Sequence, residues 1–394
     1  MEQDKNNFNM IAKTLFGLEE VLAEEIKQLG GQDVKILNRA VSFKGDKRLM
    51  YKANLCLRTA ISILKPIHEF ITRNEHTLYD NVKAIDWTKW LDLDKTFSIE
   101  STVQSEFFNH SKYVALKAKD AIVDQFKEKF DGERPSVDRE KPYLKLHIHI
   151  SQQECTILHD SSGYPLFKRG YRTQTNKAPL NEVLAAGLVL LSGWDGKTTF
   201  IDPMCGSGTI PIEAGLIAGN IPPNIHRTYF GFQLWDDFDE KLWEEVIEEG
   251  KAGEKEITCK ILASDVSEDT MDMAGTNIEA AGLDEVIRLS KKSFFERDAP
   301  PAPGLLIANP PYGERIVPER IMAFYKRMGD KLKETYSGYD AWIITSNADA
   351  VKKIGLRHSK RLTLYNGSLE CRYLKYEMYM GTKKSFSGKE KRRY

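Results

Sequence analysis

Thr198-Thr199-Phe200-Ile201-Asp202, running on into Pro203-Met204-Cys205-Gly206-Ser207-Gly208-Thr209, is the stretch that decides the architecture of this chain. Residues 198–204 read as a buried strand entering a glycine-rich turn. Gly206 and Gly208 allow a tight turn and a close approach of backbone to a ligand. The helix after them presents free N–H groups. One Gly-x-Gly alone is weak, because glycines also make ordinary turns. This one lacks the third glycine of the dinucleotide fingerprint and the Lys of a P-loop, which disfavours nucleotide hydrolysis. An Asp at this strand end suits the amino group of an amino-acid moiety better than a pyrophosphate.

Further along, strand patterns recur at 257–266, 286–290, 304–308 and 341–346. Helical patterns at 208–218, 268–281 and 318–336 separate them. Such alternation predicts an α/β domain with a parallel, doubly wound sheet. Residues 361–365, the Asn366-Gly367 turn and 369–380 read as an antiparallel hairpin at its end. Strand carboxyl ends of such a sheet form one crevice, and four of them carry chemistry. Asp202 and its glycine turn come first. Asp265 follows, able to accept hydrogen bonds from both hydroxyls of a ribose, or alternatively to cap the next helix. Ser293-Phe294 comes third, where an adenine could lie on the aromatic ring or the ring could be plain core. Asn309-Pro310-Pro311-Tyr312 comes fourth. Its Asn oxygen and the Pro310 carbonyl can accept hydrogens from an exocyclic amine, Pro311 stiffens the turn, and Tyr312 offers a face for a base. The four in this order are far more specific than any one of them.

The front of the chain reads as two α+β units. The first has strands at 8–12, 34–37 and 40–43 and helices at 17–29 and 47–60. The second has helices at 76–90 and 112–130 and strands at 96–103, 143–150 and 155–159. In 143–150, Leu144, Leu146, Ile148 and Ile150 share one face. His147 and His149 lie on the other, read as exposed histidines rather than metal ligands. Ser161-Ser162-Gly163-Tyr164-Pro165 is the clearest linker signal, and Lys168-Arg169-Gly170-Tyr171-Arg172 reads as a basic, aromatic hinge.

The chain has 394 residues, enough for about two or three domains. Its 41% hydrophobic and 29% charged residues suit a soluble globular protein. No run approaches the roughly 18 apolar residues of a membrane span. Five scattered cysteines argue against a disulfide framework or a CxxC metal site, so a cytoplasmic location and no metal are expected. Lys+Arg and Asp+Glu are both 57, but residues 351–394 carry an excess of roughly ten positive charges. This end is either a solvated tail or a contact for phosphates. Residues 235–256 are acidic.

Taken together these motifs resemble the THUMP-containing RNA methyltransferases. The likeness is greatest to the bacterial large-subunit ribosomal RNA guanine-N2-methyltransferases, whose homologues are often labelled N6-adenine-specific DNA methylases. It rests on Arg169-Gly170-Tyr171-Arg172, Ala178-Pro179-Leu180-Asn181-Glu182, the 202–210 turn, Glu213-Ala214 and Asn309-Pro310-Pro311-Tyr312-Gly313-Glu314-Arg315. The resemblance implies a class I, Rossmann-like methyltransferase domain at 181–382. It places a ferredoxin-like unit at 1–65, a THUMP RNA-binding domain at 66–160, a linker and cofactor-side loop at 161–180, and a basic tail at 383–394. It implies S-adenosylmethionine as donor and RNA, ribosomal RNA above all, as partner. Asn176, Pro179 and Leu180 carry over as a lid over the donor, and Asp202, Pro203, Cys205, Gly206, Ser207 and Gly208 as its cradle. Asp265 carries over as the ribose ligand. Ser293 stands where many relatives have an Asp facing the adenine amino group, and it can still accept a hydrogen bond there. Guanine N2 is the implied target. Adenine N6 shares the same amine-holding turn, and a silent, RNA-binding assembly factor is the non-enzymatic alternative.

Overall fold

The computed structural model describes residues 7–174, 180–312 and 317–379. It forms two compact units. The first takes the described residues up to Thr14, Leu22–Lys168 and Arg227–Glu249. The second takes Leu15–Val21, Arg169–His226 and the described residues from Gly250 onward.

The first unit is built on one eight-stranded sheet, ordered β2-β3-β1-β4-β8-β7-β5-β6. Its strands are β1 (Phe8–Lys13), β2 (Gln32–Leu37), β3 (Ala40–Gly45), β4 (Ser62–Ile71), β5 (Thr96–Gln104), β6 (Ser136–Val137), β7 (Leu144–Ser151) and β8 (Glu154–Asp160). The boundary expected at 65/66 falls inside β4, which pairs with β1 on one edge and β8 on the other. The two α+β patterns in sequence are thus halves of a single sheet. Helices Glu75–Ala84 and Ser111–Lys129 bury Leu78, Val82, Val114, Ala118, Ile122 and Phe126 against Leu144, Leu146, Ile148 and Ile150. The strict alternation in β7 marks that face correctly. It misplaces His147, which is buried and lies 3.0 Å from the Thr102 hydroxyl on β5. Burial drives its pKa down to about 3, so the ring is neutral at physiological pH. Alternation identifies two faces but not whether one or both are covered, and here both are in part.

The expected linker is a second departure. Ser161 and Ser162 are fully buried. Asp160 accepts the Ser162 N–H at 2.8 Å, and Ser162 Oγ bridges Asn54 and the Ile63 N–H. Arg227 donates to the carbonyls of Ser162, Tyr164, Pro165 and Lys168. Its guanidinium lies 3.6 Å from the Tyr164 ring centroid. Turn-forming residues here make a packed strap, because its polar groups find partners within the fold. In the expected hinge at 168–172, Arg169 and Tyr171 are buried, and the division between the two units falls between Lys168 and Arg169.

The acidic run belongs to this first unit. Arg48 pairs with Glu245 and Glu249, Lys52 with Glu249, Lys47 with Asp237, and Lys95 with Asp236. Exposed pairs like these contribute at most about 1 kcal/mol each. Apolar burial contributes more: Tyr51 stacks on Phe232 at 4.3 Å, and Trp243 meets both rings edge-on. The segment's helix, Glu240–Ala252, buries Trp243 and Val246 one turn apart.

The second unit carries a seven-stranded sheet: β9 (Thr199–Asp202), β10 (Ile261–Asp265), β11 (Ile287–Lys291), β12 (Gly304–Ala308), β13 (Tyr339–Thr345), β14 (Lys360–Asn366) and β15 (Leu369–Glu377). The order is β11-β10-β9-β12-β13-β15-β14. All neighbours are parallel except β15, which runs antiparallel to β13 and β14. The Asn366-Gly367 turn closes the hairpin, with Gly367 at φ 62°. Strand order reverses between β9 and β12, so their carboxyl ends open the crevice where ligands bind in such sheets. Helix Glu182–Leu191 escapes periodicity because its residues are apolar on almost every side. Among the described residues no helix is long and apolar enough to cross a membrane.

Candidate active site

A cleft of about 390 Å³ opens at this reversal point. Its lining includes Leu180, Pro203, Cys205, Gly206, Ser207, Asp265, Ser293, Phe294, Asn309 and Pro311. Four separate strand ends, 59 residues of sequence apart at the first step from Gly206 to Asp265, are thereby brought to one cavity. Asp202, Gly208, Pro310 and Tyr312 are not among its lining residues. Asn176 and Pro179 lie outside the described residues.

The glycine turn is held by its backbone. Gly206 (φ 53°) and Gly208 (φ 86°) both adopt the left-handed region. Gly208 is the residue before helix Thr209–Ala218, so that helix starts directly on the cleft. The Gly206 N–H donates to Asp265 Oδ2 at 3.1 Å, and the Ser267 N–H donates to Asp265 Oδ1 at 3.1 Å. Ser267, not Asp265, caps helix Glu268–Ala280 through the Thr270 N–H. Each Asp265 oxygen therefore keeps lone-pair capacity for a ligand hydroxyl.

Asp202 sits behind the turn, fully buried. Its Oδ1 accepts the Met204 N–H at 3.1 Å, whereas Oδ2 has no partner among the described residues. Burial pushes the carboxyl up to about 8, assisted by the nearby Asp265 charge and opposed by the Met204 hydrogen bond and Arg297. The native state therefore binds more protons than the unfolded chain between about pH 4 and 8, and stability falls as pH rises through that window. Asp202→Asn keeps the Met204 contact and removes the charge. Its melting temperature is expected to gain on the wild type progressively from pH 5 to pH 8, measured without ligand. A pH-independent difference would show that the carboxyl is not titrating there.

Ser293 Oγ accepts the Phe295 N–H at 3.3 Å and caps a short 3₁₀ turn. Phe294 serves two roles at once: it stacks on Tyr336 at 5.6 Å within the core and also lines the cleft. In the fourth strand end, the Tyr312 hydroxyl donates to Asn309 Oδ1 at 2.7 Å. Asn347 Nδ2 donates to the Tyr312 carbonyl at 2.9 Å and the Tyr325 hydroxyl to that of Pro311 at 3.4 Å. The turn is thus fixed from helix Pro318–Thr335 and from the end of β13. Half-buried Asn309 faces the cleft with its oxygen end defined by Tyr312.

Motif reading missed several walls. Met204, Thr209, Ile210, Val266, Phe295 and Phe324 also line the cleft. Val266 follows the Asp265 strand end directly and is 67% exposed in the cleft wall. Phe324 lies far along the chain and meets Phe295 edge-on at 5.3 Å, a contact that needs the folded sheet.

Comparison with known proteins agrees with this architecture. Residues 9–64 match the RlmL ferredoxin-like domain, 72–160 the THUMP domain, and 169–375 the RMKL-like methyltransferase domain. A Synechocystis protein named "Putative RNA methyltransferase slr0064" is 39% identical over 365 residues, covering 92% of this chain and 95% of that one. The ribosomal RNA large subunit methyltransferase K/L of Syntrophotalea carbinolica is 36% identical over 375 residues, 92% of this chain. The chain spans 52% of that relative's length. A solved structure titled "SMU.472, a putative methyltransferase complexed with SAH" aligns with a TM-score of 0.84 at 32% identity, covering 96% of this chain and all of that one. The chain belongs to the RMKL-like methyltransferase family, with RlmL ferredoxin-like and THUMP domains in front.

Proposed function

We propose that the cleft binds S-adenosylmethionine and that the chain methylates an exocyclic amine of RNA, guanine N2 of large-subunit ribosomal RNA. One observation carries this reading. The same cavity is lined by Gly206 and Asp265, by Phe294, and by Asn309 of the amine-holding turn. Its volume of about 390 Å³ lies within the usual range for cofactor sites. The Asp265 oxygens retain capacity for two ribose hydroxyls, and Phe294 offers an apolar wall for adenine. The S-adenosylhomocysteine-type ligand named for the 32%-identical neighbour and the ribosomal RNA named for the K/L relative support the same reading. So does the THUMP match.

In this reading Pro203, Cys205, Gly206, Ser207 and Gly208 shape the donor's cradle, with Asp202 behind them. Leu180 closes one side of it, and Asp265, Ser293 and Phe294 take the nucleoside part. The bound donor supplies an electrophilic methyl group on a sulfonium. Asn309 Oδ1, already oriented by the Tyr312 hydroxyl, keeps a second lone pair for one amine hydrogen, and the Pro310 carbonyl takes the other. Holding the nitrogen in line is the main source of rate. The neutral amine loses its proton during or after transfer, so no strong general base is needed. Unstacking the target base costs a few kcal/mol, and stacking on Tyr312 returns about 1–3 kcal/mol.

The test is incorporation of labelled methyl groups into large-subunit ribosomal RNA from a deletion strain, followed by digestion to nucleosides. N2-methylguanosine is the expected product. N6-methyladenosine would replace the assigned base, and no incorporation into any RNA would overturn the activity.

A further inference from the structure

Asn277 sits in the last turn of helix Glu268–Ala280, fully buried. Asn is a poor helix former and an expensive group to bury. Here every hydrogen-bonding valence of the side chain is used. Its Oδ1 accepts the N–H groups of Thr173 and Gln174 at 3.1 and 3.2 Å. Its Nδ2 donates to the carbonyls of Gln174 and Ser207, both at 3.0 Å. One carboxamide thus ties the segment at 173–174 to Ser207 of the glycine turn. A carboxamide has two donors and two acceptor sites, and no other side chain of this length supplies that set.

A second clasp holds other residues of the cleft wall. Arg172 Nη2 donates at 2.8 Å both to the Leu180 carbonyl and to Thr209 Oγ1. Its guanidinium also pairs with Glu182 at 3.1 Å. Leu180, Ser207 and Thr209 all line the cleft, whereas Asn277 and Arg172 do not.

We propose that Asn277 is a positioning residue for the methyl-donor cleft, setting the glycine turn at Ser207 against the chain at 173–174 without touching the ligand. The assignment rests on the cleft's being the donor site. Asp at this position would keep the two acceptor contacts, lose both donors, and turn a charge toward two carbonyl oxygens. A Ser would remove the clasp without adding charge.

The test measures binding of S-adenosylhomocysteine by calorimetry to the full chain, well below each variant's melting temperature, together with the methyl-donor KM and kcat. The wild type is expected to bind. Asn277→Asp and Asn277→Ser are expected to raise Kd and KM by about tenfold or more. With the donor saturating, kcat should return to within about threefold of wild type, because Asn309 and the amine site are untouched. A folded variant with Kd within about twofold of wild type overturns the assignment, whatever its melting temperature, since a merely structural residue would lower stability and leave affinity alone. If Asn277→Asp does not fold, Asn277→Ser gives the same readout. Failure of the wild type to bind overturns the donor reading itself, and this inference with it.

Discussion

Asn309→Ala is expected to lower kcat for methyl transfer by about 10²–10³-fold while leaving S-adenosylhomocysteine affinity within about threefold. The split follows from where the residue stands. Asn309 contributes a side chain to the edge of the cleft, and the turn carrying it is held by other groups: Asn347 on the Tyr312 carbonyl and Tyr325 on that of Pro311. Removing the carboxamide therefore deletes an acceptor without releasing the turn. Gly206 and Asp265 keep their mutual hydrogen bond at 3.1 Å. Asn309→Asp is the sharper comparison. It keeps an acceptor oxygen in the place of Oδ1 and with it the Tyr312 contact, so it should retain far more activity than Ala if accepting amine hydrogens is the residue's task. Equal loss in both variants, or normal turnover in the Ala variant, would remove Asn309 from the proposed chemistry.

The parts of this molecule that were legible in its sequence share a physical reason. The second sheet announces itself because short strands, most of them apolar, run straight into turns that carry polar side chains. Asp202, Asp265, Ser293 and Asn309 all stand at such ends. Strand Gly304–Ala308 has the bounds its apolar run suggests, being buried throughout. Where composition was ambiguous about burial, the reading went astray. Ser161-Ser162-Gly163 carries turn chemistry, which is as suitable for a packed strap as for a linker, and only Asn54 and Arg227 decide between them. His147 looked solvent-facing because alternation cannot say how many faces are covered. Asn277 gave no signal at all. A polar residue on a helix usually faces water, and its partners lie 70 and more than 100 positions away.

The acidic insertion shows the same limit from another side. Its sequence lies inside the span matching the methyltransferase domain, yet residues 227–249 cluster with the first unit. Charge alone does not say where the run packs. The pairing partners, Lys47, Arg48, Lys52 and Lys95, are scattered along the front of the chain, so no local pattern could find them. The aromatic residues interleaved with the acids were the usable sign. Phe230, Phe232, Phe238 and Trp243 are too many large rings for a segment that stays in water, and they converge on Tyr51 or on one another.

Arg169→Met is expected to destabilise the protein by about 3–5 kcal/mol, a large fraction of the stability of an ordinary domain. Arg169 and Glu213 are both fully buried, with Arg169 Nε 3.3 Å from Glu213 Oε1 and Nη2 3.5 Å from Oε2. The Tyr171 hydroxyl donates to the same carboxylate at 2.9 Å, and Arg169 Nη1 to Asn224 Oδ1 at 3.4 Å. An ion pair taken this far out of water contributes little net stability, because desolvation of both charges offsets their attraction. Removing one partner is different, since it strands the other in a low-dielectric interior. Glu213 belongs to helix Thr209–Ala218, whose first turn lines the cleft, so the cost falls on an element that shapes the proposed donor site. Glu213→Gln in the Arg169→Met background removes the stranded charge and keeps an acceptor for Tyr171. The double variant should therefore recover at least about 2 kcal/mol relative to the additive expectation. Urea midpoints for the two single variants and the double variant measure this coupling, provided the denaturant slope is unchanged. A single-variant loss below about 1 kcal/mol, or strict additivity, would mean that water or another group already serves Glu213 and that the pair is not what anchors this helix.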